Sequence, residues 1–415
     1  MIELARIKHR MGENLSREPD YTCVETIERS QRHAPTRKFD LLDAVRLEVA
    51  LVGGKEMYAW PGAGKFEETD MRKFVPEGAI GNGYFALHAR SVFLTEYPMF
   101  TYRGPETLEG HNAVRYDFRL PLLFSSYHLR VGNREALVGY HGSFWAETGT
   151  LDVLRLVVDA DDIPLALGMK EADVTIDYAR LPIGSSDFLL PVSSDLLMID
   201  LTGSESRNRM RFTSCRQYSG ESVLSFGDPP PAAVGPDASR PVREIRLAAG
   251  LRVDIELAGK IDSRETAVGD PVRGTVKRDV KQGGEIVIPK GATLFGRLTR
   301  LEHRTGMFAA SIVFATVEWD GGRGEFHAEL KEVDGGSSAD PLTVGSRSER
   351  WGLAGRRGGA QMTAVQPSRE SGPPPGSFYV MGDRVQLPRG FHMVWRTLPP
   401  DDAARSAPGG PQEKP

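Results

Sequence analysis

"AVRLEVALVGGKEMYAW", residues 44–60, decides the fold class. Val45, Leu47, Val49 and Leu51 alternate with Arg46, Glu48 and Ala50, and Gly53-Gly54 leads into a second run ending at Trp60. A period of two sends alternate side chains to opposite faces of a strand. Paired glycines accept the positive φ of a tight hairpin turn. The stretch is therefore a β-hairpin with one apolar and one wet face, as in an antiparallel sheet packed on one side.

Working outward, the pattern recurs. Residues 99–120 form a second hairpin with Val114, Tyr116 and Phe118 on one face. Further strands follow in "YHLRV", "EALVGYHGSFWAET", "VLRLVVDAD", "EADVTIDYARL", "SSDLLMIDLTG" and "NRMRFTSCRQY", between residues 127 and 218. Two stretches depart from it. Leu4, Ile7, Met11 and Leu15 predict an amphipathic helix over 2–17. Residues 65–95 predict two short helical pieces around Pro76 and Gly78, with Phe85, Ala89, Val92 and Phe93 on one face of the second.

A chain of 415 residues predicts two domains. The first spans 1–227. "DPPPAAVGPDASRP" lies in a Pro/Ala linker over 228–243. A small β domain covers 244–332, and 333–376 reads as a flexible insertion. Strands over 377–398 return to the small domain, and 399–415 forms a tail. Within that second domain one phrase is written three times: "IPKGATLFGR" at 288–297, "LPRGFHMVWR" at 387–396, and a looser "LAAGLRVDIEL" at 247–257. In each a Gly precedes an alternating apolar strand. Glycine turns the chain with positive φ, and Pro ends strand pairing in two copies. The phrase is read as the strand–corner–strand unit of a small barrel, with the third copy returning to close it.

The net charge of −4 argues against a nucleic-acid protein. No apolar run is long enough for a transmembrane helix, and the N-terminus carries no secretory leader pattern. The expectation is thus a cytoplasmic protein, or an envelope protein whose leader is missing from this chain. Cys23 and Cys215 leave two readings open. They are either two buried small residues or a disulfide closing a loop of about 190 residues, worth roughly 4–5 kcal/mol by chain entropy.

No nucleophile elbow, zinc-protease helix, phosphate loop or dinucleotide fingerprint occurs. The nine histidines are scattered, with His128 and His141 the nearest to a cross-strand pair, and "EETD" at 67–70 reads as a solvated helix start. No catalytic residue, metal or cofactor is expected. About ten antiparallel strands make a sheet that twists and curls. Its apolar face then holds Val49, Leu51, Trp60, Tyr116, Phe118 and Trp145, covered by Phe85 and Val92. That interior is either a lidded pocket for acyl chains or a solid core.

"GYHGSFWAETGTLDVLRLVV", residues 139–158, resembles the LolA/RseB-like family of periplasmic lipoprotein carriers and sensors. The resemblance rests on Trp145, Glu147, Thr148 and Arg155, with "EADVTIDYARL" and "FLLPVSSDL" similar to that family's closing strands. It covers about residues 1–225. It implies an unclosed antiparallel β-barrel with a helical lid that binds acyl chains or lipidated proteins without catalysis. Departures from the family are the absent leader and the attached second domain. Residues 244–300 are similar to the small β modules of TrbI-type conjugal-transfer scaffolds, which implies an envelope protein as partner. The expectation is a mainly β, two-domain, non-enzymatic envelope protein that binds lipid or a lipidated partner. The alternatives are a scaffold with protein partners only, and an enzyme whose site the sequence does not display.

Overall fold

The computed structural model describes residues 2–33, 38–63, 66, 74, 87–131, 134–218, 243–304, 306–333 and 375–399. The expectations for 67–70, Phe85, the linker over 228–242, the insertion over 334–374 and the tail over 400–415 lie outside the described residues. The chain divides into two compact units, Met1–Phe226 and Gly227–Pro415.

The first unit begins with helix α1 (Ile2–Arg17) and strands β1 (Tyr21–Arg32), β2 (Asp40–Val52) and β3 (Lys55–Ala59). Helix α2 (Leu87–Phe93) precedes β4 (Met99–Leu108), β5 (His111–Leu120), β6 (Tyr127–Val131), β7 (Arg134–Glu147) and β8 (Val153–Asp161). A long meander closes it: β9 (Met169–Ile183), β10 (Ser186–Asp200) and β11 (Glu205–Gln217). All eleven strands form one sheet in the order β3-β2-β1-β11-β10-β9-β8-β7-β5-β4, with β6 on β7. The end strands β3 and β4 do not pair with each other, so the barrel is unclosed.

One row of the ladder shows how alternation builds the core. Val45 pairs Ile27, which pairs Met210, then Ser194, Ile176, Leu156, Phe144, Tyr116 and Tyr102, crossing nine strands without a slip of face. Seven of these nine are buried apolar side chains. The opposite face is charged, with Arg155 Nε on Asp177 at 2.6 Å and Arg207 Nε on Asp195 at 2.8 Å. A one-residue slip of any strand would exchange these faces, so burial fixes the register.

The first and last strands of the unit, β1 and β11, are neighbours inside the sheet, third and fourth in its order. Their register shifts between Thr22 and Val24, opposite Ser214, which has φ +52°. Cys23 and Cys215 are joined across this bulge, with Cα atoms 4.1 Å apart. Gly142 of β7 marks another close approach, because a Cβ there would sit 1.9 Å from the Val157 carbonyl oxygen.

The second unit contains β12 (Arg243–Ile245), β13 (Arg252–Leu257), β14 (Ile261–Asp262), β15 (Pro271–Val276), β16 (Val280–Gln282) and β17 (Glu285–Ile288). After these come β18 (Thr293–Arg304), β19 (Met307–Trp319), β20 (Gly322–Glu325), β21 (Ala328–Val333), β22 (Ser377–Met381), β23 (Gln386–Leu387) and β24 (His392–Thr397). The main sheet runs β12-β20-β19-β18-β15-β13-β24-β21, with β22 on β19. β20 and β21 stand near opposite ends of that order, yet only Phe326 and His327 separate them in the chain. Three Cα–Cα steps reach about 11 Å at most, so the sheet has to curl into a barrel-like form. Trp395 of β24 fills its core, edge-on to Phe314 with ring centroids 5.5 Å apart.

The repeated phrase is the corner of this barrel. Gly250, Gly291 and Gly390 have φ of +87°, +88° and +84°. Each glycine N–H donates at 2.8 Å to the last residue of a neighbouring strand: Thr397, Val276 and Leu257 respectively. Each of those residues donates back to the residue after the glycine, at 3.0, 2.9 and 2.9 Å. The structure adds a fourth corner that the sequence reading missed. Gly269, φ +103°, donates to Leu298 at 2.8 Å, and Leu298 donates to Asp270 at 3.0 Å. Here "AVGDPV" places Asp270 and Pro271 where the other copies continue into the strand without a Pro.

β24 lies between β13 and β21, and β22 lines β19. Deleting residues 377–398 should therefore abolish the cooperative thermal transition of the second unit, read by calorimetry. A transition kept at the same temperature would contradict this topology.

Candidate functional site

The inner face of the first unit is the concave surface under two helices. Ile7, Met11 and Leu15 are the buried stripe of α1. Ala89, Val92 and Phe93 are buried on α2. Each apolar side chain covered in this way contributes about 1.5–3 kcal/mol relative to exposure. Polar ties hold the helices down. Asn14 exchanges two hydrogen bonds with the Leu189 backbone, at 2.8 and 2.9 Å. Arg10 Nε reaches Asp152, which Arg180 also grips with two bonds of 2.6 Å. Lys8 Nζ donates to the Thr95 carbonyl at 2.9 Å, linking α1 to the chain after α2.

Val49, Leu51, Val92, Tyr116 and Phe118 are buried on this inner side. Trp60 is half-buried just beyond β3, edge-on to Phe74 with ring centroids 4.9 Å apart. Phe85 is outside the described residues. Trp145 is a correction. It pairs Arg155 on the charged outer face, donates its indole N–H to Glu106 at 2.7 Å, and lies under the Arg115 guanidinium. Its polar tip finds partners there that the apolar side does not offer. The inward aromatic is its neighbour Phe144, stacked on Tyr116 at 5.3 Å and edge-on to Phe93 at 5.1 Å. Nor do His128 and His141 face each other: His128 pairs Leu137 across the hairpin, and His141 Nδ1 lies 2.7 Å from Asp161.

The face is not uniformly apolar. Arg29 and Asp43 form a buried two-bond ion pair between β1 and β2. His88 of α2 is buried between Tyr127 and Tyr140, and loss of solvation pushes its pKa down to about 4. Two carboxyls are shifted the other way. Glu25, on the inner phase of β1, is 2% exposed, and burial with Glu56 nearby raises its pKa to about 8. Glu18, just past α1, is raised to about 8 by burial, against the field of Arg90 and a hydrogen bond from Asn14. The sequence reading passed over Glu25, although "YTCVETIER" sets it in phase with Cys23 and Ile27.

Among the described residues, no group of three or more His, Cys, Asp or Glu is arranged to hold a metal ion. No helix among them is long and apolar enough to cross a membrane. A recess of about 180 Å³ lies between Met99, Arg119, Pro121, Leu122 and Gly139. It is smaller than the ~300 Å³ lower bound of small-molecule sites.

No protein family and no curated protein sequence matches the chain. Solved structures similar to it include a DUF1329 family protein from Desulfovibrio piger, at 10% identity over 54% of this chain and 95% of that one, TM-score 0.28. A domain assigned to outer membrane lipoprotein sorting in Vibrio parahaemolyticus is 11% identical over 54% and 95%, TM-score 0.28. A LolA superfamily protein from Nitrosomonas europaea is 12% identical over 52% and 93%, TM-score 0.26. At these TM-scores the likenesses carry no argument, and the chain's own geometry stands alone.

The raised carboxyls make stability depend on pH. The folded state holds the Glu25 proton up to about 8, whereas an unfolded Glu releases it near 4.5. The stability it contributes is complete below about 4.5 and is lost as pH rises through about 8. Glu25→Gln should raise the melting temperature at pH 8.5 and change it little at pH 4.5. Equal shifts at both pH values, measured by circular dichroism, would contradict this.

Proposed function

We propose that the first unit binds the acyl chain of a lipid or of a lipidated partner against its inner face, beneath α1 and α2, without catalysis. The observation that carries the reading is the nine-strand row of inward side chains, seven of them buried and apolar, which α1 and α2 cover among the described residues. Magnitudes permit an exchange. Lifting Ile7, Met11 and Leu15 forfeits about 5–9 kcal/mol, and a buried 14-carbon chain returns about 11 kcal/mol at about 0.8 per methylene. The helices thus act as a lid that a chain replaces in kind.

The Cys23–Cys215 disulfide supports an oxidising compartment, since such bonds persist outside the reducing cytosol. We place the protein in the cell envelope on that ground. In this reading the second unit is a docking module for another envelope protein.

A second reading has its own support. The inward side chains are nearly all buried already, as a solid scaffold core with protein partners would require. Native mass spectrometry of the full chain, exported behind a secretory leader and gently purified, separates the two. Extra mass lost on activation and identified as lipid is expected. A ligand-free mass that stays so after incubation with phospholipid vesicles would favour the scaffold.

A further inference from the structure

The acyl-chain reading places cargo beneath α2 and leaves an apolar surface beside that helix unexplained. Strand β5 ends at Leu120, and Pro121 leads into a 3-10 turn, Leu122–Phe124, in which no residue is buried. Leu122, Leu123 and Phe124 are 48, 83 and 46% exposed. The turn is nonetheless anchored. Its backbone lies against β7, where a Cβ on Gly139 would sit 2.9 Å from the Leu122 nitrogen. Phe124 stacks on Tyr97, with ring centroids 4.5 Å apart and planes within 4°. Leu122 lines the same recess as Met99. Tyr97 and Met99 are themselves 52 and 59% exposed. Five apolar side chains, from the α2–β4 connection and the 3-10 turn, therefore form one exposed surface. It borders the end of the lid: Ser91 Oγ of α2 lies 3.5 Å from Ser126 Oγ, just past the turn.

A surface of this kind marks contact with a protein or with a membrane. Two observations choose the membrane. The first is geometric. Three residues per turn set the side chains of a 3-10 turn about 120° apart. Leu122 leans on the recess, Phe124 on Tyr97, and Leu123 stands clear. A protein partner packs against one face of such a turn, whereas fluid hydrocarbon closes around all of it. The second is charge. Arg119 Nε lies 3.3 Å from Asp161, which also has His141 Nδ1 at 2.7 Å. Lys8 Nζ lies 4.0 Å from Glu96 and donates to the Thr95 carbonyl. Asp162 adds a further acid to the recess. The border thus carries no positive excess with which to hold anionic headgroups. What it offers is apolar insertion, with a tyrosine where amphipathic rings sit at the headgroup level.

We propose that this surface docks the first unit on the interface of a zwitterionic phospholipid bilayer, with Leu123 entering the acyl region and Tyr97 at headgroup level. A chain released from beneath α2 then meets the bilayer directly. That last step, and it alone, rests on the acyl-chain reading.

The test is co-sedimentation of the full-length protein with sucrose-loaded phosphatidylcholine vesicles, joined to fluorescence of Leu123→Cys carrying an environment-sensitive dye. Cys23 and Cys215 are held in the disulfide, so the dye has one site. The protein should partition onto the vesicles. The dye emission should shift to the blue and be quenched by spin-labelled lipid tails, and the same dye on Arg209→Cys, which lies beside Asp195 on the charged outer face, should do neither. Leu123→Asp should lower the partition at least tenfold. So should Leu123→Ser, Phe124→Ser, whose melting curve checks its fold. Salt at 1 M, which screens charges beyond about 3 Å, and added phosphatidylglycerol should leave the partition unchanged. No partition, a partition that Leu123→Asp retains, or one that needs phosphatidylglycerol and vanishes in salt would overturn the docking surface. The acyl reading would then still stand or fall by its own mass spectrum. A concentration-dependent dimer in analytical ultracentrifugation that Leu123→Asp dissolves would assign the surface to a second copy of the chain and overturn the bilayer.

Discussion

The pairing of β1 with β11 is the contact on which the first unit depends. It joins the first and last strands of the unit inside an eleven-strand sheet rather than at an edge. The remaining strands are then laid outward on both sides, and the end strands β3 and β4 fall far apart in the order. A sheet closed edge to edge buries its own inner face, whereas this one does not. The apolar side of the ladder therefore needs α1 and α2 as cover. The Cys23–Cys215 bond sits on the same pairing. It removes much of the entropy of the unfolded chain at the contact that is most distant in sequence and so costs most to form.

The second unit answers the same problem by repetition. Four glycine corners each start a strand and each hydrogen-bond that strand's partner, three of them at its last residue and Gly269 at Leu298 within β18. β13 and β24 are reciprocal in this way, as are β15 and β18. Residues at the third position after the glycine, Val253, Leu294 and Met393, are fully buried. The rhythm of the repeated phrase is thus the geometry of a corner followed by one step into the core.

The strand-rich fold class was legible because alternation is local. Val45, Leu47, Val49 and Leu51 declare their face with no knowledge of their neighbours. Which strand lies beside which was not legible, since β1 meets β11 across the whole unit. The choice of Trp145 over Phe144 shows the limit of reading bulk before phase: Tyr140, Phe144 and Ala146 share one side of β7, and Trp145 is the odd position between them. Glu25 was the converse case. A carboxylate in the apolar phase of a strand was written plainly, whereas its burial beside Glu56 came only with the fold. The fourth corner stayed hidden because Asp270-Pro271 breaks the apolar rhythm that marks the other three.

The most direct measurement is photocrosslinking of the full-length protein with a diazirine-bearing fatty acyl chain, followed by peptide mapping. Labels on the inner face, at Val49, Leu156, Ile176, Tyr116 or Phe144, and their loss on competition with unlabelled chain, are the expected result. Labels confined to the outer face around Trp145 and Arg155, or spread over both units without competition, would contradict a lidded acyl site.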